Sequence, residues 1–331
     1  MFTFALVGCG RIAPRHAENI LRIGKLGAVC DAIPAQANSF AKSYEARPYY
    51  NLDDLLAQES GVEVVSICTL NGYHAEQAIK VLRSGKHVLC EKPMCLTSAA
   101  AWQMLETEKY SGKRLFVVKS TRYNPYIRQL KEMLTDGKLG KVYSFQLHCF
   151  WNRPPEYYTS WRGKSFPDGG TLYTQFSHYI DALIWLLGDI ETVDGFSKNM
   201  AHQESMEFED TGVAALRLSS GIIGTLNWSV NTYKKNYEIG LTIIAEKGTF
   251  SLGGAYLNEL KYACTESPVE AIPNENKANE YGFYAGSMSN HNEVYDNLMK
   301  ALNGESDNFT NAMDGLKTVE AIERIYKAVS S

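Results

Sequence analysis

Apolar and polar positions change their rhythm near residue 120 of this 331-residue chain. Before that point, short apolar strand-like runs alternate with stretches of helical period. Phe4-Ala5-Leu6-Val7, Leu26 to Cys30, Val62 to Thr69, His87 to Cys90 and Leu115 to Lys119 read as strands. The nearly continuous apolar run of Val62 to Thr69 suits a strand buried on both faces. Between them, Arg15 to Ile23 reads as a helix, as does the series Ala75, Ala78, Ile79 and Leu82, which stops at Gly85. A further helix carries Trp102, Met104 and Leu105. Strand and helix in alternation predict an α/β domain of Rossmann type, a doubly wound parallel sheet, over residues 1–120.

After residue 120 the pattern turns to consecutive strands. Asn124-Pro125 supplies an N-cap and first helical residue, and Gly137 a stop. Val142 to Phe150, Val213 to Leu218, Ile222 to Val230, Tyr237 to Ala245 and Thr249 to Leu252 then follow as strand-like segments without intervening helices. Ser219-Ser220-Gly221 and Glu246-Lys247-Gly248 read as hairpin turns between neighbours. Residues 121–331 are therefore expected to form an α+β domain with a large, open, mostly antiparallel sheet. Two helices interrupt it, Thr174 to Leu187 closed by Gly188, and Ala312 to Val329, while Thr265 to Asn290 has no period and reads as a long loop.

Charge narrows the function classes. With 33 Lys+Arg against 37 Asp+Glu the formal net charge is −4, without runs of one sign, so neither nucleic acid nor an anionic membrane is an expected partner. The most apolar stretch, Ile180 to Leu187, contains Asp181 and is too short to span a bilayer. Met1-Phe2-Thr3-Phe4 lacks the positive start of a signal peptide, and a cytoplasmic protein is expected. Seven cysteines, an odd number without a CxxC pair, read as reduced small hydrophobes and not as disulfides or a metal site.

Gly8-Cys9-Gly10-Arg11-Ile12-Ala13 fits G-x-G-x-x-G/A directly after a strand and at the opening of a helix, and Asp31 follows Gly10 by 21 residues at the end of the second strand. Glycines admit a pyrophosphate to the backbone, the helix N-terminus favours its charge, and a carboxylate accepts ribose hydroxyls. Acidic Asp31, followed by Ala32-Ile33-Pro34, repels a 2′-phosphate, so NAD is the expected cofactor. Glu91-Lys92-Pro93 ends another strand at the carboxyl edge of the sheet, where ligands of such folds sit.

Taken with Thr69-Leu70-Asn71-Gly72-Tyr73-His74, Gly85 to Pro93, Asp168-Gly169-Gly170-Thr171-Leu172, His178, Asp181 and Leu186-Leu187-Gly188, these motifs resemble the Gfo/Idh/MocA family of NAD(P)-dependent sugar and polyol oxidoreductases. The resemblance implies cofactor contacts from Gly8, Gly10, Arg11, Ile12, Asp31, Thr69, Asn71, His74, Glu91 and Lys92. It also implies hydride transfer, with His178 as proton acceptor and Lys92 stabilising the developing alkoxide, and pairing of copies into a homodimer or homotetramer. One position departs from the pattern. Inositol dehydrogenases of this family carry Asp four residues before the His, and this chain has Thr174, whose hydroxyl on a shared helix face can only hydrogen-bond the imidazole. Thr174-Gln175-Phe176-Ser177-His178, preceded by Tyr157-Tyr158 and Trp161-Arg162-Gly163, is most similar to the branch acting on UDP-N-acetylglucosamine-uronate at C3. That likeness suggests Tyr123, Arg153, Trp161, Arg162 and Gln175 as substrate contacts, Arg153, Arg162 and Lys164 facing a diphosphate or carboxylate. Two other readings stay open: a dehydrogenase of free polyols or monosaccharides, and a non-catalytic NAD-binding regulator.

Overall fold

The computed structural model of the chain describes residues 1–270, 272, 278–280, 285–306 and 309–329. It divides into two compact units, one of Met1–Lys119 with His291–Val319, the other of Ser120–Asn290 with Glu320–Ser331.

In the first unit β1 (Thr3–Val7), α1 (Ala13–Ile23), β2 (Lys25–Cys30), α2 (Pro34–Tyr44), β3 (Arg47–Tyr49), α3 (Leu52–Gln58), β4 (Val64–Ile67), α4 (His74–Arg83), β5 (His87–Cys90), α5 (Ser98–Ser111) and β6 (Leu115–Val117) alternate along the chain. The strands form a parallel sheet in the order β3-β2-β1-β4-β5-β6. Val64, Val65, Ser66 and Ile67 are all buried, as a central strand covered on both faces requires. Helix starts follow local chemistry: Asn51 accepts the Asp54 N–H at 2.8 Å to cap α3, and Thr97 accepts that of Ala100 at 3.2 Å to cap α5. The strand order reverses between β1 and β4, which makes their carboxyl ends the switch point of the sheet.

The second unit contains α6 (Pro125–Thr135), β7 (Val142–Phe150), α7 (Ser177–Leu187), β8 (Ile190–Lys198), β9 (Thr211–Leu218), β10 (Ile223–Ser229), β11 (Glu238–Ala245), β12 (Gly248–Gly253), β13 (Glu259–Thr265), β14 (Ala278–Glu280) and β15 (Ala285–Met288). Its main sheet runs β13-β12-β11-β7-β10-β9-β8, antiparallel except for β7 with β10. Both expected hairpins are present, β9 to β10 and β11 to β12. Helix α7 is buried at every position except Trp185. Inside this apolar surround Asp181 takes both oxygens to Arg122, at 2.8 Å to Nε and 2.8 Å to Nη2. The guanidinium also lies over the Trp185 ring, 5.3 Å from its centroid.

Three expectations change. The tail of the chain does not stay with the second domain: α8 (His291–Leu302) and the start of α9 (Ala312–Val329) belong to the first unit. There Arg22 pairs with Asp296 at 2.6 Å and the Thr310 hydroxyl donates to the Val117 carbonyl at 2.7 Å. Within the stretch read as a loop from Thr265 to Asn290, β14 and β15 pair with each other, and the remaining part lies mostly outside the described residues. The helix read from Thr174 begins instead as a π-helical segment, Leu172–Phe176, and becomes α only at Ser177. Among the described residues no helix is long and apolar enough to cross a membrane.

Candidate active site

The glycine motif occupies the turn from β1 into α1, at the switch point. Gly8 has φ +93°, and a Cβ there would lie 2.7 Å from the carbonyl carbon and oxygen of Cys68 and 2.8 Å from the Thr69 nitrogen. The turn is thus pressed onto the end of β4, an approach only glycine permits. Gly10 is the opposite case, with nothing within 4 Å of a Cβ, so its surroundings are the open cradle that a pyrophosphate requires. Helix α1 has Pro14 in its first turn and no side-chain cap at Ile12, leaving its N-terminal dipole to an anion. These residues fit a dinucleotide. Asp31 also holds the motif in place: Oδ2 accepts the Cys9 N–H at 2.8 Å and Oδ1 that of Ile33 at 2.9 Å. Burial first, and then the Asp31 charge, push the neighbouring Cys9 and Cys30 thiols up to about 12, so both remain protonated and unreactive. All seven cysteines are free.

His74 and Glu91 sit beside the cofactor motif but spend their side chains on the fold. The His74 ring is buried, with Nδ1 2.7 Å from the Pro93 carbonyl and Nε2 3.0 Å from that of Thr69. It ties the loop after β4 to the loop after β5, and Thr69 also donates its hydroxyl to Gln77 at 2.6 Å. Asn71 is buried in the intervening 3-10 turn. Glu91 is buried too: Oε1 lies 2.9 Å from His16 Nε2 and 3.2 Å from His291 Nε2, and Oε2 accepts the Lys92 N–H at 3.0 Å. Burial would raise this carboxyl, but the two imidazoles hold it well below the usual carboxylate range. His16 is lowered by its own burial. Its Nδ1 lies 2.8 Å from the Tyr295 hydroxyl, itself 3.0 Å from Ser66 Oγ. Lys92 is half-buried directly after this cluster.

In the second unit, Gly169 and Gly170 (φ +95° and +128°) lead into the π-helical segment. A Cβ at Gly170 would lie 2.4 Å from the Tyr326 hydroxyl, which accepts the Leu172 N–H at 2.8 Å. Thr174 lies in the π-helical segment and His178 in the α-helix that follows, so the α spacing expected of the pair does not apply to it. The Thr174 hydroxyl bonds to the Asp168 carboxylate, whose other oxygen accepts the Gly163 N–H at 2.7 Å. The acid of the signature thus reaches Thr174 from the loop before the helix. His178 is buried in the first turn of α7.

Arg153, read as an anion contact, is 1% exposed. Its Nε donates to Gln175 Oε1 at 2.8 Å, Nη1 donates to Asn236 Oδ1 at 3.0 Å, and the group lies over the Trp151 and Tyr157 rings. Gln175 in turn donates to the Tyr157 hydroxyl at 2.7 Å. These two side chains bond each other in the interior and do not face solvent. Arg162 differs: it is half-buried over the rings of Tyr157 (4.5 Å) and Trp161 (4.7 Å), and its Nε is itself buried with no hydrogen-bond partner among the described residues. Lys164 is exposed and 3.5 Å from Glu207, and Tyr123 is half-buried beneath Arg128.

Several polar groups were not singled out by the sequence. Glu209 is buried, with Oε1 accepting from Tyr326 at 2.9 Å and Trp228 Nε1 at 3.2 Å, and burial raises it to about 8 despite them. Adjacent Asp210, bonded by the N–H groups of Met200 and Ala201 and by His202, is lowered. His16, His291 and Tyr295 complete the Glu91 cluster. Only His16 left a trace in sequence, as a polar residue on the buried stripe of α1 with Ala13, Ala17 and Ile20.

Residues 2–119 match the model of an oxidoreductase family's NAD-binding Rossmann fold, and residues 131–331 match its C-terminal alpha/beta domain. The WlbA dehydrogenase of Bordetella pertussis, crystallised with NADH and UDP-GlcNAcA, is 34% identical with a TM-score of 0.90, covering 100% of this chain and 97% of that one. Its counterpart from Chromobacterium violaceum, with the same two ligands, is 33% identical with a TM-score of 0.90 over 99% and 94% of the chains. Inositol 2-dehydrogenase of Salmonella typhimurium is 30% identical over 257 residues, 75% of this chain and 72% of its own.

Proposed function

The chain belongs to the Gfo/Idh/MocA oxidoreductase family and is an NAD-dependent oxidoreductase acting on CH–OH groups; from that premise we propose that its substrate is a nucleotide-linked amino sugar or its uronate, oxidised at C3. The observation that carries the substrate class is Arg162. A half-buried guanidinium laid on two aromatic faces is suited to a diphosphate or carboxylate, groups a free polyol lacks. Likeness over the whole chain to two dehydrogenases crystallised with UDP-GlcNAcA supports the same class.

In this reading the backbone around Gly10 and the N-terminus of α1 receive the pyrophosphate, and Asp31 accepts the ribose hydroxyls while it continues to hold the Cys9 and Ile33 N–H groups. NAD, when bound, supplies the hydride acceptor. His178 takes the hydroxyl proton, and the Lys92 ammonium stabilises the negative charge that develops on that oxygen. Asp168 with Thr174 orders the turn that carries His178. Copies of the chain pair through the outer face of the seven-stranded sheet, where Phe196, Val213, Ile223 and Ile244 are exposed.

Formation of NADH is followed by fluorescence with UDP-N-acetylglucosamine, its uronate, inositol and unphosphorylated sugars, after mass spectrometry of any co-purified nucleotide. Turnover of the UDP-uronate with none of the free polyols is expected. Turnover of inositol alone would move the chain to the polyol reading, which the Salmonella relative favours. Tight NAD binding without turnover of any sugar would move it to the regulatory one.

A further inference from the structure

Glu91 immediately precedes Lys92, and the protons around it can be assigned from their contacts. Its Oε1 faces two imidazole Nε2 atoms, of His16 on α1 at 2.9 Å and of His291 on α8 at 3.2 Å, and its Oε2 accepts the Lys92 N–H at 3.0 Å. An ionised carboxylate only accepts, so both imidazoles donate Nε2–H and, if neutral, carry bare Nδ1 atoms. The rest of the cluster agrees. His16 Nδ1 is met by the Tyr295 hydroxyl, which is in turn met by Ser66 Oγ, and His291 Nδ1 is buried with no partner among the described residues. A bare lone pair without a partner is less unfavourable there than a stranded N–H would be. One buried negative charge is thereby satisfied by three donors, from α1, from α8 and from the lysine's own backbone. At its other side the same tripeptide is held by His74 on the Pro93 carbonyl at 2.7 Å.

We propose that His16, His291 and Tyr295 lock the Glu91 carboxylate and so fix the backbone from which Lys92 reaches the reacting oxygen, making them positioning residues of the dehydrogenase reaction. The arrangement joins the helix that opens at the glycine motif to the strand end that bears the lysine. Its supply of His291 and Tyr295 gives the return of residues 291–319 to the first unit a function. A lysine side chain has four rotatable carbons, so its ammonium is placed only as well as its backbone is held, and misplacement of about 1 Å reduces turnover by about 100-fold.

The inference rests on the dehydrogenase reading and is tested with the full-length protein on the sugar of the panel that it turns over. His291→Leu is expected to lower kcat by roughly 10- to 100-fold, with the NAD dissociation constant within about 3-fold of the parent. His291→Gln, whose amide N–H replaces the Nε2 donor, should recover most of that loss. In a Lys92→Met background His291→Leu should have almost no further effect, because both act through one group. Tyr295→Phe removes a single hydroxyl from a side chain of the same shape and should lower kcat less, with a smaller loss of thermal stability than His291→Leu, which secures the comparison if His291→Leu folds poorly. Effects of His291→Leu and Lys92→Met that multiply would overturn the proposal, as would a Tyr295→Phe protein of parental kcat. Since the three ligand atoms lie within 4.8 Å of one another, a stoichiometric divalent ion in the purified protein would overturn the proton assignment. If Lys92→Met itself retained full turnover, the role assigned to Lys92 would fail first, and no turnover of any sugar would remove the dehydrogenase reading and this inference together.

Discussion

Methyl groups added at Gly8 and Gly10 should have opposite effects, although the two residues are separated by one position. At Gly8 the backbone is in the left-handed half of the map (φ +93°), and a Cβ meets three backbone atoms of the β4 end at 2.7–2.8 Å. The conformation costs an L-residue about 1–2 kcal/mol, and displacing packed backbone roughly 1–3 kcal/mol more. Gly8→Ala is therefore expected to lose about 2–5 kcal/mol, which lowers the melting temperature of a unit this size by roughly 10 °C. Gly10→Ala meets nothing within 4 Å, and restricting the unfolded chain stabilises by about 0.4–1 kcal/mol, so its melt should be unchanged or slightly raised. Its methyl group instead fills the cradle, and NAD affinity should fall at least tenfold, about 1.4 kcal/mol. Differential scanning fluorimetry and titration of NAD into each purified variant give both quantities. A Gly10→Ala protein that binds NAD like the parent would refute the assignment of that space to the pyrophosphate. A Gly8→Ala protein of parental stability would refute the close approach to Cys68.

His178→Ala and Lys92→Met should each reduce turnover by about 10²–10⁴-fold while leaving the NAD dissociation constant unchanged, measured by single-turnover kinetics and fluorescence titration. A near-parental rate would remove either residue from the chemistry. Asp181→Ala strands the buried Arg122 charge and is expected to cost about 3–5 kcal/mol in denaturant unfolding, whereas Arg122→Met with Asp181→Leu together should regain most of it. Glu209 is neutral when folded up to about 8, against an ordinary 4.5. Below 4.5 both states hold the proton and the contribution is complete; between these values only the folded state holds it, so stability falls as pH rises. The sum over that window is roughly 3–5 kcal/mol, and Glu209→Gln, which keeps an oxygen for Tyr326 and Trp228, should flatten it. Parallel stability profiles for parent and variant between pH 5 and 8 would contradict the neutral assignment.

Local pattern carried most of the architecture because each element's period and punctuation are local facts. The glycine motif, Asp31 and the Glu91-Lys92-Pro93 strand end were legible for that reason: each lies beside the strand that positions it. Arg153 shows where that logic stops. A guanidinium in a loop after a strand reads as exposed, yet Gln175, Asn236 and two aromatic faces, distant in sequence, enclose it. Thr174 shows the same limit on a smaller scale, since helical spacing assumes α geometry and the chain adopts a π turn under the Tyr326 hydroxyl.

By itself the sequence determined an α/β half followed by an α+β half, the place and type of the dinucleotide motif, and which residue types are available for hydride-transfer chemistry. The tertiary structure decided what those residues touch. It returned residues 291–319 to the first unit, made Glu91 the centre of a buried histidine pair, joined Arg122 to Asp181, and left Glu209 a neutral acid. Periodicity reports how a residue faces its own element, but charge state and hydrogen-bond partners depend on groups brought from elsewhere in the chain, and only folding brings them together.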